Sequence, residues 1–225
     1  MFSENIVIIP SLIYCDSGIY SKDERFEQTK ETIKTVKQKI PNSFIVLIDI
    51  SKFNGDEIEY FKNNCDMFLN PSDDMELAEK IIGRKSYGEK TYLQYTINLL
   101  NNNENVYNFN NFPNLKHIFK VGGRYFLNDH FNYDNYNNEF DNIKIVSNSI
   151  YKNTCYTSCF KISKQNVSYL IDSFKIFDNE LKNNFYDIET MLFKHINRIP
   201  EGINKEVEIL GITCLCAVAS VIIYE

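Results

Sequence analysis

The sequence predicts an α/β protein, a single domain built around a mostly parallel central sheet, and three observations predict it. The segments NIVIIPSLIY, ERFEQTKETIKTVKQKI and FIVLIDI follow one another as strand, helix and strand, the order of a right-handed parallel unit. FIVLIDI is apolar almost without a break, as a strand covered on both faces requires. The chain's 225 residues suffice for one sizeable core.

Each element has its own signal. Phe26, Thr29, Ile33, Val36 and Ile40 recur at helical intervals with charge on the other faces, and Pro41 with Asn42 stops that helix. GDEIEYFKNN predicts a short helix and CDMFLN a short strand. A helical pattern runs from Asp73 to Ile82, and another opens around Tyr87 or Gly88 and covers SYGEKTYLQYTINLL. NNNENVYNFNNF is rich in asparagine but punctuated by Tyr and Phe, which predicts a surface loop with anchors. HIFKVGGRYFL reads as a strand broken by two glycines, and the polar, aromatic NDHFNYDNYNNEF as a second loop. IKIVSNS, CYTSCFKIS and the late VEILGITC read as strands; Lys164 to Asp178 and NNFYDIETMLFKHI read as helices. Ligands of open α/β sheets gather beyond the carboxyl ends of the strands, so the loops around the glycine-containing strand are candidates for a site wall.

Composition excludes several classes. Hydrophobic residues make up 44% and charged residues 24%, ordinary globular values. The formal charge is −6 with no dense Lys/Arg tract, which argues against a nucleic-acid partner held by broad phosphate neutralisation but leaves room for a local anion pocket. MFSENIVIIPSLIY has no basic leader, and ILGITCLCAVASVIIY is shorter than a membrane span and reads as strand material. The expectation is a cytoplasmic chain without stable membrane insertion. The six cysteines form no C-x-x-C pair, so buried free thiols are expected. The three histidines, His117, His130 and His195, are dispersed and match no zinc spacing.

Four groups of residues could carry chemistry, and each has two readings. Gly122 and Gly123 form a bulge or tight bend, or they let a ligand or backbone approach closely while Arg124 offers a forked donor to phosphate or carboxylate. Asp49 and Ser51 end the FIVLIDI strand, where they either cap the next segment or hold a base or ribose. Lys85, Gly88 and Glu89 open a helix, and Asp73 and Asp74 precede another, so capping competes with contact at both. Asp187 and Glu189 stand two apart and cannot share one narrow helix face. Glu189 lies near the stripe of Leu192 and Ile196, where a carboxylate in a cleft can act as a general base toward a hydroxyl.

Taken in order, four stretches carry a family resemblance: SKDERFEQTKETIKTVKQKIPNSFIVLIDIS, KSYGE, IFKVGGRYFLN, and YDIETMLF followed by ILGITC. Together they resemble small inverting glycosyltransferases of the GT-A type, especially short ones from large DNA viruses and bacterial polysaccharide loci. The likeness spans essentially the whole chain, with the GRY strand its most specific part. It implies a single GT-A-like, Rossmann-type domain over residues 1–225, with a nucleotide-binding half to about residue 128 and an acceptor-binding half from about 129. It also implies a nucleotide-sugar donor and a glycan acceptor, and, for a viral chain, the host cytoplasm. Asp49 and Ser51 would lie near the nucleoside, Lys85 and Glu89 beside the donor, and Arg124 at the diphosphate or donor sugar, with Glu189 or Asp187 as acceptor base.

Two departures matter. Cys214 stands where the family pattern prefers glycine. The acid-x-acid pair that holds Mn²⁺ or Mg²⁺ in ordinary GT-A enzymes is missing after IFKVGGR, where Lys120 and Arg124 stand instead. Fixed cations stabilise a leaving diphosphate as a metal does, so the expectation is transfer without a metal cofactor. Asp129 with His130 leaves a divalent ion open. Tyr125, Phe126 and the aromatics from Phe131 to Tyr136 are either sugar-stacking groups or core anchors. The rival readings are an inactive nucleotide- or glycan-binding module and a structural or interaction protein.

Overall fold

A computed structural model describes residues 2–15, 18–53, 55–82, 85–146, 153–183, 187–215 and 222–224. The fold is α/β with a mostly parallel central sheet. Its chain order is β1 (Asn5–Ser11), α1 (Lys22–Lys39), β2 (Ser43–Asp49), α2 (Asp56–Asn64), β3 (Met67–Leu69), α3 (Met75–Ile82), α4 (Lys85–Asn101), β4 (His117–Val121) and β5 (Tyr125–Leu127). There follow β6 (Cys159–Ser163), α5 (Val167–Ile176), α6 (Asp178–Lys182), α7 (Ile188–Ile196), β7 (Ile212–Leu215) and β8 (Ile222–Tyr224).

The five-stranded sheet runs β3-β2-β1-β4-β6. β1 pairs in parallel with β2 and β4, β2 in parallel with β3, and β6 closes the other edge antiparallel to β4. Strand order therefore reverses at β1: the chain first builds outward to β3, then crosses back to lay β4 on the other side. Alternation along the strands sorts two cores. Ile6, Ile8, Val46, Ile118 and Ile162 pack with α4, α5 and α7 through Leu93, Ile97, Leu170, Ile188 and Leu192. Val7, Ile9, Ile45, Leu47 and Phe119 face the other way, against Ile33 and Val36 of α1 and Phe61 of α2. Both faces of β1 and β2 are covered, which is why NIVII and FIVLI carry no polar alternation.

HIFKVGGRYFL is two strands. The Tyr125 amide bonds the Gly122 carbonyl at 2.9 Å, closing a turn that takes the chain out of the large sheet into a small one of order β5-β7-β8. Neither glycine has a positive φ, so the reason for them is space. A Cβ on Gly122 would stand 2.3 Å from the Tyr125 ring, and one on Gly123 would stand 3.0 Å from the Pro10 carbonyl and from Ser11.

Other expectations shift in detail. The helix predicted from Lys164 to Asp178 is a 3-10 turn, α5 and α6. Of CYTSCFKIS only Cys159–Ser163 is a strand, and the described part of IKIVSNS contributes one isolated bridge, Ile145 to Cys155, with Asn142 just before it bridging Lys161. The asparagine-rich loop is held by its own side chains: Asn102, Asn105 and Asn108 each accept from the amide two residues on, at 2.9–3.0 Å. Phe109 and Phe112 anchor it in the core. No helix among the described residues is long and apolar enough to cross a membrane.

Candidate functional site

The switch in strand order opens a cleft of about 380 Å³ beyond the carboxyl ends of β1 and β4, where an open α/β sheet is expected to bind its ligand. Pro10, Ser11 and Leu12 leave β1 into it, Arg25 and Thr29 face it from α1, Gly88, Glu89 and Tyr92 from α4, and Gly122 to Tyr125 form its floor. Three cations, Arg25, Lys120 and Arg124, meet one carboxylate, Glu89, among the lining residues, in a chain whose overall charge is −6. A larger concavity of about 600 Å³ lies at the opposite end of β4, around His117, Asn138 and Lys164. There Lys116 is paired with Glu4 at 3.0 Å, and burial, with Lys161 nearby, holds the His117 imidazole down at about 4. The smaller cleft is the better site because charge and strand ends converge on it.

Sequence-predicted residues fall into three groups. Glu89, Lys120, Gly122, Gly123 and Arg124 line the cleft. Glu189 stands just behind, on the first turn of α7. The Lys120 ammonium meets Glu89 Oε1 at 2.5 Å and also donates to the Thr157 carbonyl. The Thr157 hydroxyl donates in turn to Glu189 Oε1 at 3.2 Å. Two carboxyls far apart in sequence are thus joined through a lysine and a threonine. Burial raises the Glu189 carboxyl above its ordinary range, and the charge of Glu89 raises it further, against a smaller downward pull from Lys120.

Asp49 and Ser51 lie outside the cleft. Asp49 is fully buried, with one carboxylate oxygen accepting from the Ile13 amide at 3.0 Å and the other from the Ser51 amide at 2.7 Å. The Ser51 hydroxyl accepts from the Tyr14 amide at 2.8 Å. Both residues brace the connection from β1 to α1, which describes them better than a nucleoside contact. Asp187 is the exposed N-cap of α7, accepting from the Thr190 amide at 2.7 Å, so of the two acids only Glu189 reaches the cluster. The Asp74 side chain similarly accepts from the Leu77 amide of α3 at 3.0 Å. Lys85 begins α4, and its side chain lies outside the described residues, as does that of Cys214.

The reserve metal pair is elsewhere. Asp129 meets Lys39 at 3.3 Å, fourteen residues along α1 from Arg25 and hence roughly 21 Å away at 1.5 Å per residue. Among the described lining residues the one carboxylate, Glu89, is held by Lys120, and no group of three or more His, Cys, Asp or Glu side chains that could hold a metal ion occurs among the described residues. Phe131 and Tyr136 stack on each other within the core at 5.2 Å; of the aromatics proposed to stack on a sugar, Tyr125 lines the cleft.

Arg25, Tyr92 and Thr157 were not singled out in the sequence, and Thr29 was read only as part of the α1 stripe. A signal existed for Arg25: it precedes Thr29 by four residues and Ile33 by eight, a cation on the buried stripe of α1. One polar atom in the cleft lining, Arg124 Nη1, is buried without a partner among the described residues, and buried polar groups left unpaired are costly.

No protein-family model matches the chain, and no curated protein does. Among solved structures, a crystal structure of a glycosyltransferase involved in the glycosylation of the major capsid of PBCV-1 superposes with a TM-score of 0.47 at 11% identity, covering 90% of this chain and 80% of that one. A likeness of that size assigns no activity to this chain.

Proposed function

We propose that the cleft transfers a sugar from a nucleotide-sugar donor to a glycan hydroxyl in a single inverting displacement. One observation carries this reading: Arg124 brings a buried, unpartnered Nη1 to a cleft whose wall leads through Glu89, Lys120 and Thr157 to the raised carboxyl of Glu189. The guanidinium suits a diphosphate, and the carboxyl suits a proton acceptor. Glu189 takes the hydroxyl proton as the acceptor oxygen bonds the anomeric carbon. The bond from that carbon to the donor phosphate oxygen breaks, and Arg124 stabilises the charge that gathers on the diphosphate. Attack from the face opposite the leaving group inverts the centre. The described lining residues fall between Pro10 and Tyr125, which supports a nucleotide-binding half before about residue 128.

Hydrolysis of a panel of nucleotide sugars, with and without EDTA, tests the reading. Turnover of at least one donor that survives EDTA is the expected result. Binding of none would remove the donor assignment, whereas turnover abolished by EDTA would sink transfer by fixed cations alone.

A further inference from the structure

The sequence paired Arg124 with Lys120 as the cations of the site, but the structure engages Lys120 elsewhere. Its ammonium is held by Glu89 and by the Thr157 carbonyl, and an ammonium has only three donors. The other cation in the cleft is Arg25, and its placement is unusual. It is 6% exposed, its Nε donates to the Tyr20 carbonyl at 3.2 Å and its Nη1 to the Leu12 carbonyl at 3.4 Å. These carbonyls fix the plane of the guanidinium at the cleft wall, so little side-chain freedom remains to be lost when a ligand arrives. Arg124 approaches from the β4–β5 turn with its own Nη1 buried and unpartnered.

Two guanidiniums lining one cleft repel. Burial pulls the Arg25 group below its ordinary value, and the nearby Arg124 charge pulls the same way, against the influence of Cys15 and Asp49. Arginine does not relieve such repulsion by losing its proton. An anion between the two forks does relieve it, and a dianion bridging both gains charge-assisted hydrogen bonds from each.

We propose that Arg25 is the second anion-binding residue of the cleft, and that Arg25 and Arg124 together clamp a diphosphate without a metal ion. This inference rests on reading the cleft as a donor site and deepens it by naming the group that is gripped. The clamp selects a diphosphate over a monophosphate, because two adjoining phosphoryl groups present an oxygen set to each fork. The merely structural alternative is that Arg25 only ties the β1–α1 connection through Tyr20 and Leu12.

Calorimetric titration with inorganic pyrophosphate and with inorganic phosphate, both in EDTA, separates these possibilities in wild type, R25Q, R25K and R124Q. The expected results are tighter binding of pyrophosphate than of phosphate, and a loss of about tenfold or more in pyrophosphate affinity for R25Q and for R124Q. R25K retains the charge and recovers part of the loss. Thermal melts at the titration conditions show which variants are folded; if R25Q is not, R25K and R124Q still decide. Wild type that fails to bind pyrophosphate in EDTA overturns the clamp. So does a folded R25Q or R25K with wild-type affinity beside a weakened R124Q, whatever its melting temperature, since that result leaves Arg25 a tether alone. Pyrophosphate binding with the expected losses, but with no nucleotide sugar bound, leaves the clamp standing and removes only the donor assignment.

Discussion

Glu89 and Glu189 reach the same lysine-centred cluster through different contacts. Glu89 meets Lys120 directly at 2.5 Å. Glu189 meets the Thr157 hydroxyl and is raised by burial and by Glu89. A base works deprotonated, so kcat/KM of the proposed transfer should fall with pH as Glu189 takes its proton, at a pH above the ordinary carboxylate range. Removing the Glu89 charge (E89Q) should move that acid limb to lower pH, and E189Q should lower kcat by roughly 10²- to 10⁴-fold while donor binding is spared. A pH–rate profile of each variant reads both effects; wild-type turnover in E189Q would take the base role from this residue. The individual candidates Glu89, Lys120, Arg124 and Glu189 were legible in the sequence as polar groups at predicted element ends. Their partnership was not, because the Lys120–Glu89 and Thr157–Glu189 contacts join residues about thirty apart and depend on how α4 and α7 pack on β4. Arg25 escaped because threonines share its stripe, so its inward face looked half polar.

At the scale of elements, hydrophobic period did most of the predicting. β1, α1 and β2 were readable because each is buried by its own repeat. The break between β4 and β5 was read as one interrupted strand because a glycine pair does not say whether the chain turns. The Gly122–Tyr125 hydrogen bond decides it. Gly88 gives an element-scale test. Within an exposed helix Ala would be favoured over Gly by about 1 kcal/mol, but at this position a Cβ would stand 2.3 Å from the Ile81 carbonyl. Backbone cannot swing aside as a side chain does, so α3 and α4 must separate. Overpacking of this kind costs about 1–3 kcal/mol, and Gly88→Ala should therefore destabilise the protein in urea unfolding, with Tyr92 displaced from the cleft it lines. A stabilised G88A would mean that α3 yields freely.

For the molecule as a whole, pH acts through groups distant from the cleft. Burial pushes His195 down to about 4, and burial with the Lys161 charge does the same to His117. From pH 6.5 toward 4 the unfolded chain binds protons at these positions that the folded chain refuses, so their contribution to stability is lost as pH falls. The buried carboxyls of Asp49, Asp141 and Glu189 are raised and act in the opposite sense, since the folded state takes up their protons first. A difference measurement separates the two. Between pH 7 and 4.5, H195Q should lose less unfolding free energy than wild type, by about 2 kcal/mol. Equal losses would mean that His195 protonates in the fold as readily as in the unfolded chain. The seal on β6 has another consequence. The Lys161 amide and carbonyl, which face away from β4, are both taken by Asn142, and the Ser163 amide by the Asp141 carboxylate. At the other edge β3 is only three residues long. A second copy of the chain, or a growing fibril, would find little open strand at either margin of the large sheet on which to add itself. Concentrated solutions should accordingly stay free of strand-to-strand aggregates so long as the Asp141–Asn142 segment remains docked.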